Sequence, residues 1–124
     1  MGVSITARTF EMKEELTEID RILDDERFFA PFRKKFYSRV GRPTIPVAVY
    51  LRMMYLKHRY HLGYESLVKE VKDSFTWRHF CHLSLEDHVP DDTTLIKPTK
   101  KYGEDTLDAL NDSLVLNRFL LIIC

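Results

Sequence analysis

Five side chains able to ligate a metal fall between positions 58 and 82: His58, His61, His79, Cys81 and His82. His58-x-x-His61 would set two imidazoles on one helix face, and His79-Phe80-Cys81-His82 would complete a tetrahedral zinc shell. The spacing follows no standard zinc pattern, and His58 lies on an apolar helical stripe, where a core histidine is the simpler reading. Asp91-Asp92-Thr93-Thr94 sets two carboxylates side by side. Acids just before a helix cap it and oppose its dipole, so capping is the simpler reading there. The chain has no GxSxG, no Walker loop and no GxGxxG, and no catalytic residue or metal ligand is expected.

Basic side chains are the stronger signal. The chain has 124 residues, 19 basic and 19 acidic, so its formal net charge is zero. The charges are not evenly spread. Residues 27–64 carry nine basic groups and no carboxylate, while 1–26 carry a net −5 and 65–124 a net −4. An acid-free block points to a polyanion such as nucleic acid. The alternative is that acids of the flanking segments fold back and pair with it. Arg33-Lys34-Lys35-Phe36-Tyr37-Ser38-Arg39 interleaves cations with aromatic rings, which suits contacts to phosphate.

Those residues need elements to hold them. The hydrophobic fraction of 44 % and aromatic fraction of 12 % can fill one domain core and argue against disorder. Two cysteines make no disulfide framework, so a reducing, cytoplasmic setting is expected. No apolar run approaches the ~20 residues of a membrane span, and no secretory signal is visible. Met1-Gly2-Val3-Ser4-Ile5-Thr6 fits the myristoylation pattern loosely.

Helical spacing dominates, and an all-α fold of six to seven helices is expected. Met12, Leu16, Ile19 and Leu23 form one stripe over 11–25, with Thr9 as a cap candidate. Phe28, Phe29, Phe32 and Phe36 form a second over about 26–37, with the helix starting near Ala30 or kinked at Pro31. After the Gly41–Pro46 breaker, Thr44 is the cap candidate for the strongest helix, which runs to about His61. Apolar residues surround nearly all of it, which marks it as central. Gly63 is expected to close it. Short helices over 64–73 and 75–83 then give a helix-turn-helix-like unit, with Phe75, Trp77 and Phe80 inward. Asp91 or Asp92 should cap a segment ending at Gly103, kinked or started late by Pro98. A last helix is expected from Glu104 to about Asn117.

Four segments taken in order resemble one family. Gly41-Arg42-Pro43 with the helix that follows, Tyr60-His61-Leu62-Gly63-Tyr64-Glu65-Ser66-Leu67, Trp77-Arg78-His79-Phe80-Cys81-His82-Leu83-Ser84-Leu85, and Val89-Pro90-Asp91-Asp92-Thr93-Thr94-Leu95 are similar to the N-terminal domain of InsH-like bacterial insertion-sequence transposases. The resemblance spans about residues 10 to 116. It implies a helical domain that binds the element's terminal inverted repeats. It also implies a separate domain in which a DDE carboxylate triad holds two Mg²⁺ ions. No triad residue carries over to this chain. The expectation is a truncated transposase over 1–117, without catalytic capacity or cofactor, followed by an apolar tail over 118–124 unlike the family.

The expected partner is double-stranded DNA, with full-length transposase or self-association as the alternative, and no membrane. The expected DNA-binding residues are Arg33, Lys34, Lys35, Arg39, Arg42, Arg78, Thr94, Lys97, Lys100 and Lys101. The segment Thr93 to Lys101 is the first choice for the major groove, and Trp77-Arg78-His79 the second.

Overall fold

The computed structural model describes residues 14–41 and 45–123. Thr9, Met12, Arg42, Thr44 and the Met1–Thr6 pattern lie outside them. Among the described residues there are seven helices and no strand, so the fold is all-α. They are α1 (residues 14–24), α2 (Glu26–Val40), α3 (Val47–Arg59), α4 (Tyr64–Asp73), α5 (Phe75–Phe80), α6 (Asp92–Tyr102) and α7 (Glu104–Ile123).

The centre is α3, where every residue from Val49 to Leu56 is buried. A helix apolar around its whole circumference has to be covered on all sides. Here α4 and α7 pack on α3, α6 packs on α2, α4 and α7, and α5 packs on α4. The covering stripes are those of the helical spacing. Leu16, Ile19 and Leu23 of α1 are buried, as are Leu67, Val68 and Val71 of α4 and Leu107, Leu110 and Leu114 of α7. Phe36 joins α2 to the core, its ring 5.1 Å from Tyr50 and 5.4 Å from Tyr102.

Several ends differ from expectation. Helix α2 starts at Glu26, ahead of Pro31, because the Asp25 side chain accepts from the Arg27 N–H and caps it. Helix α6 has the expected Asp91 cap and ends at Gly103, but it starts at Asp92 and runs through Pro98 with no late start. Gly63 does not close α3; it is the N-cap of α4 at φ −75°. The closing residue is His61, at φ +54°, with the Leu62 N–H donating to the Lys57 carbonyl at 3.0 Å. That six-to-one bond is the signature of a Schellman end. The same device closes α5, with His82 at φ +62° and the Leu83 N–H on the Arg78 carbonyl at 2.8 Å. It stops α5 at Phe80, short of Leu83. Phe75 does not point inward but stands 75 % exposed at the first position of α5. Helix α7 runs unbroken past Asn117 to Ile123.

Candidate nucleic-acid interface

The acid-free block divides into two parts. On α3 the flanking acids do fold back. Arg52 is 1 % exposed, with Nε 2.8 Å from Asp20 and Nη2 2.9 Å from Asp24, both on α1, and Nη1 on the Ala48 carbonyl. Arg59 lies 2.7 Å from Glu15, which also accepts from the Tyr55 hydroxyl at 3.0 Å. Glu15 holds the Arg59 guanidinium above its ordinary value, and burial pushes the Tyr55 phenol up. Lys57 sits 4.6 Å over the Tyr64 ring. Most of the α3 cations thus serve the fold.

The α2 and α6 cations behave differently. Lys34 and Lys35 are exposed and have no acidic partner among the described residues. Arg33 pairs with Glu26 at 3.2 Å on its own helix and lies 5.5 Å over the Phe29 ring. Arg39 Nη1 donates to the Tyr102 carbonyl at 2.9 Å, tying the end of α2 to the end of α6. On α6 the exposed positions are Thr93, Lys97, Lys100 and Lys101. Spacings of four, three and one put them on a single helical face. None of the three lysines has an acidic partner among the described residues. Leu95, Pro98, Thr99 and Tyr102 take the buried side.

Local chemistry explains why α6 stands this way. Asp91 accepts from the Thr94 N–H at 2.8 Å and from its hydroxyl at 2.7 Å. Those two bonds hold the Asp91 carboxyl below its usual range. Thr94 is therefore committed to the cap. On the inner side, the Tyr50 hydroxyl donates to Thr99 at 2.6 Å, and Thr99 donates to the Leu95 carbonyl at 2.8 Å. Acids sit at the start of α6 and lysines at its end, the arrangement that opposes the helix dipole at both termini.

Arg78 is a strut. Its guanidinium donates to the carbonyls of Lys72 and Ser84 at 3.2 Å and of Asp87 at 3.4 Å, bracing the 81–91 loop against α4. Its neighbour Trp77 is 7 % exposed and stacked on Tyr60 at 5.1 Å. Of the expected interface residues, Lys97, Lys100 and Lys101 share a face, and Arg39 links α2, with Lys34 and Lys35, to that helix. Arg78 and Thr94 are engaged within the fold, and Arg42 lies outside the described residues.

The five His and Cys positions do not come together as a metal shell among the described residues. His58 lies between Asp108 at 3.5 Å and Asp112 at 3.3 Å, both on α7. Burial pushes the Cys81 thiol up to about 12, away from the thiolate a metal needs. His82 meets Asp20 at 3.0 Å. Asp20, Asp24 and His82 are the metal-capable grouping among the described residues, their ligand atoms within 4.8 Å of one another. The buried Arg52 guanidinium already supplies the positive charge between those two carboxylates. Sequence reasoning did not single out this cluster. The signal was an arginine inside the otherwise apolar run Val47 to Leu56. No helix of the described residues is long and apolar enough to cross a membrane.

A protein-family model described as Transposase domain (DUF772) matches residues 5–101. No curated protein and no solved structure matches the chain.

Proposed function

The chain belongs to the transposase domain (DUF772) family, and on that premise we propose that it holds DNA in transposition, through the lysine face of α6 and the adjoining α2. The observation that carries this reading is the contrast between two sets of cations. Those of α3 are largely engaged within the fold, whereas Lys97, Lys100 and Lys101 are exposed, aligned and without acidic partners among the described residues. Lysines so placed contact phosphates and release counterions, which supplies affinity and a steep salt dependence. Lys34 and Lys35 extend the same contact along α2. The α4–α5 corner, braced by Arg78, serves as a helix-turn-helix-like scaffold that presents α6. The acids Asp91 and Asp92 turn the start of α6 away from phosphates, so the lysine end leads.

The proposed target is the pair of terminal inverted repeats of an insertion element. The part proposed for these residues is holding, not cutting. Fluorescence anisotropy with terminal-repeat and scrambled duplexes, across a salt series, tests both statements. Tighter binding to the repeat is expected. Each of Lys97→Ala, Lys100→Ala and Lys101→Ala should lower the salt slope by about one. EDTA should leave binding unchanged, and Mg²⁺ should produce no nicking of plasmid. Equal slopes in the lysine variants and the parent chain would refute the assignment of this face. Absence of duplex binding at low salt would refute the DNA reading itself and favour a protein partner.

A further inference from the structure

Helix α5 opens on an aromatic ring turned to solvent. Ser74 caps the helix through the Trp77 N–H, and Trp77 and Phe80 take the buried side. Phe75 is left 75 % exposed. Beside it, between α5 and α1, runs a cleft of about 360 Å³. Buried Leu16 and Phe80 line it, with Thr17, Thr76 and Phe75 itself. A ring and an apolar cleft on one patch are what a two-fold contact needs, because each copy must offer both knob and hole.

The charges of α1 fit the same symmetry. Glu15, Asp20 and Asp24 are spent on α3. Glu14 and Arg21 are exposed and have no ion-pair partner among the described residues. Glu14, Thr17 and Arg21 follow at spacings of three and four, so they share one face of α1. Thr17 carries that face to the cleft. Two such helices laid antiparallel, with the axis between residues 17 and 18, set Glu14 of each opposite Arg21 of the other. Glu18 then falls opposite Thr17. A parallel pairing in register would set Glu14 on Glu14 and Arg21 on Arg21.

We propose that the chain pairs with a second copy of itself through α1 and α5. Each Phe75 ring enters the cleft of the other copy, and each Glu14 meets the other copy's Arg21. Aromatic anchors seated in pockets carry most of the energy of such contacts, and flanking charges fix the register. The pairing does not rest on the DNA reading and is measured without DNA.

Sedimentation equilibrium of the full chain over a range of concentrations tests it. A dimer in equilibrium with monomer is expected. Phe75→Ala empties the cleft and should raise the dissociation constant about tenfold or more. Glu14→Arg and Arg21→Glu each bring like charges together, so each alone should sediment as monomer. Mixed in equal amounts, the two variants should dimerise again, because each then carries two charges opposite to those of its partner. All three positions are exposed, and an unchanged melting curve by circular dichroism verifies that the variants keep the fold. A parent chain that stays monomeric at every concentration overturns the pairing and leaves the cleft to a foreign partner. Charge variants that dimerise alone as the parent does, or a mixture that stays monomeric, overturn the antiparallel α1 contact. An unchanged dissociation constant in Phe75→Ala overturns the cleft as the seat of the contact.

Discussion

Arg52 shows how one side chain can reverse the meaning of a charge pattern. It belongs to the acid-free block, yet its guanidinium is 1 % exposed and spans two carboxylates of α1. Removing one partner of a buried pair leaves a charge in a poor dielectric. Asp20→Ala should cost about 2 kcal/mol, below the ~3–5 of fully enclosed pairs because Asp24 and water remain. Urea unfolding measures it. His61 offers a gain instead. An L side chain at φ +54° pays a steric penalty that glycine avoids, so His61→Gly should stabilise by about 0.5–1 kcal/mol in the same assay. Asp91 and Asp87 each add a pH-dependent contribution in acid. Their hydrogen bonds to Thr94 and Ser84 depress both carboxyls in the folded state. A depressed group contributes in full above its unfolded value near ~4, and the contribution is lost as pH falls through the folded value. Asp91→Asn still caps but cannot protonate, so its stability curve should be flatter below about pH 4 than that of the parent.

At the scale of elements, periodicity was the legible part. The stripes on α1, α4 and α7 are buried as their spacing requires, and α3 is central because its apolar residues leave no bare face. Helix ends were less legible. Gly63 drew attention as the only glycine near the end of α3, but two histidines take the left-handed positions that close α3 and α5. Proline suggested late starts or kinks in α2 and α6; Asp91 caps α6 as its position suggested, and Asp25, which the sequence reading did not single out, caps α2 ahead of Pro31. The same capping holds α5 in place. Ser74→Ala removes the acceptor for the Trp77 N–H and should cost about 1 kcal/mol, read as a lower melting temperature. The lysine face of α6 was legible as a set of charges. Its isolation from carboxylates was not, because that depends on which acids fold against which helix.

Across the whole molecule, sequence-distant segments are joined in pairs. The α1 acids meet α3, Arg39 and Phe36 of α2 meet Tyr102 of α6, and Tyr50 of α3 meets Thr99 of α6. Deleting residues 1–26 would leave Arg52 buried without its carboxylates and uncover the face of α3 that α1 protects. Loss of a cooperative thermal transition is the expected outcome, by circular dichroism. The pairing of early with late segments also bears on how the chain is made. As the protein leaves the ribosome, Glu15, Asp20 and Asp24 of α1 wait for residues 52–59 to appear, and the Phe36 ring of α2, which meets Tyr50 first, gains its second ring contact when Tyr102 follows. Completion of this core therefore waits until α6 and α7 have been synthesised. Nascent chains arrested near residue 90 should be cut by protease throughout, and chains arrested with residue 123 clear of the exit tunnel should resist.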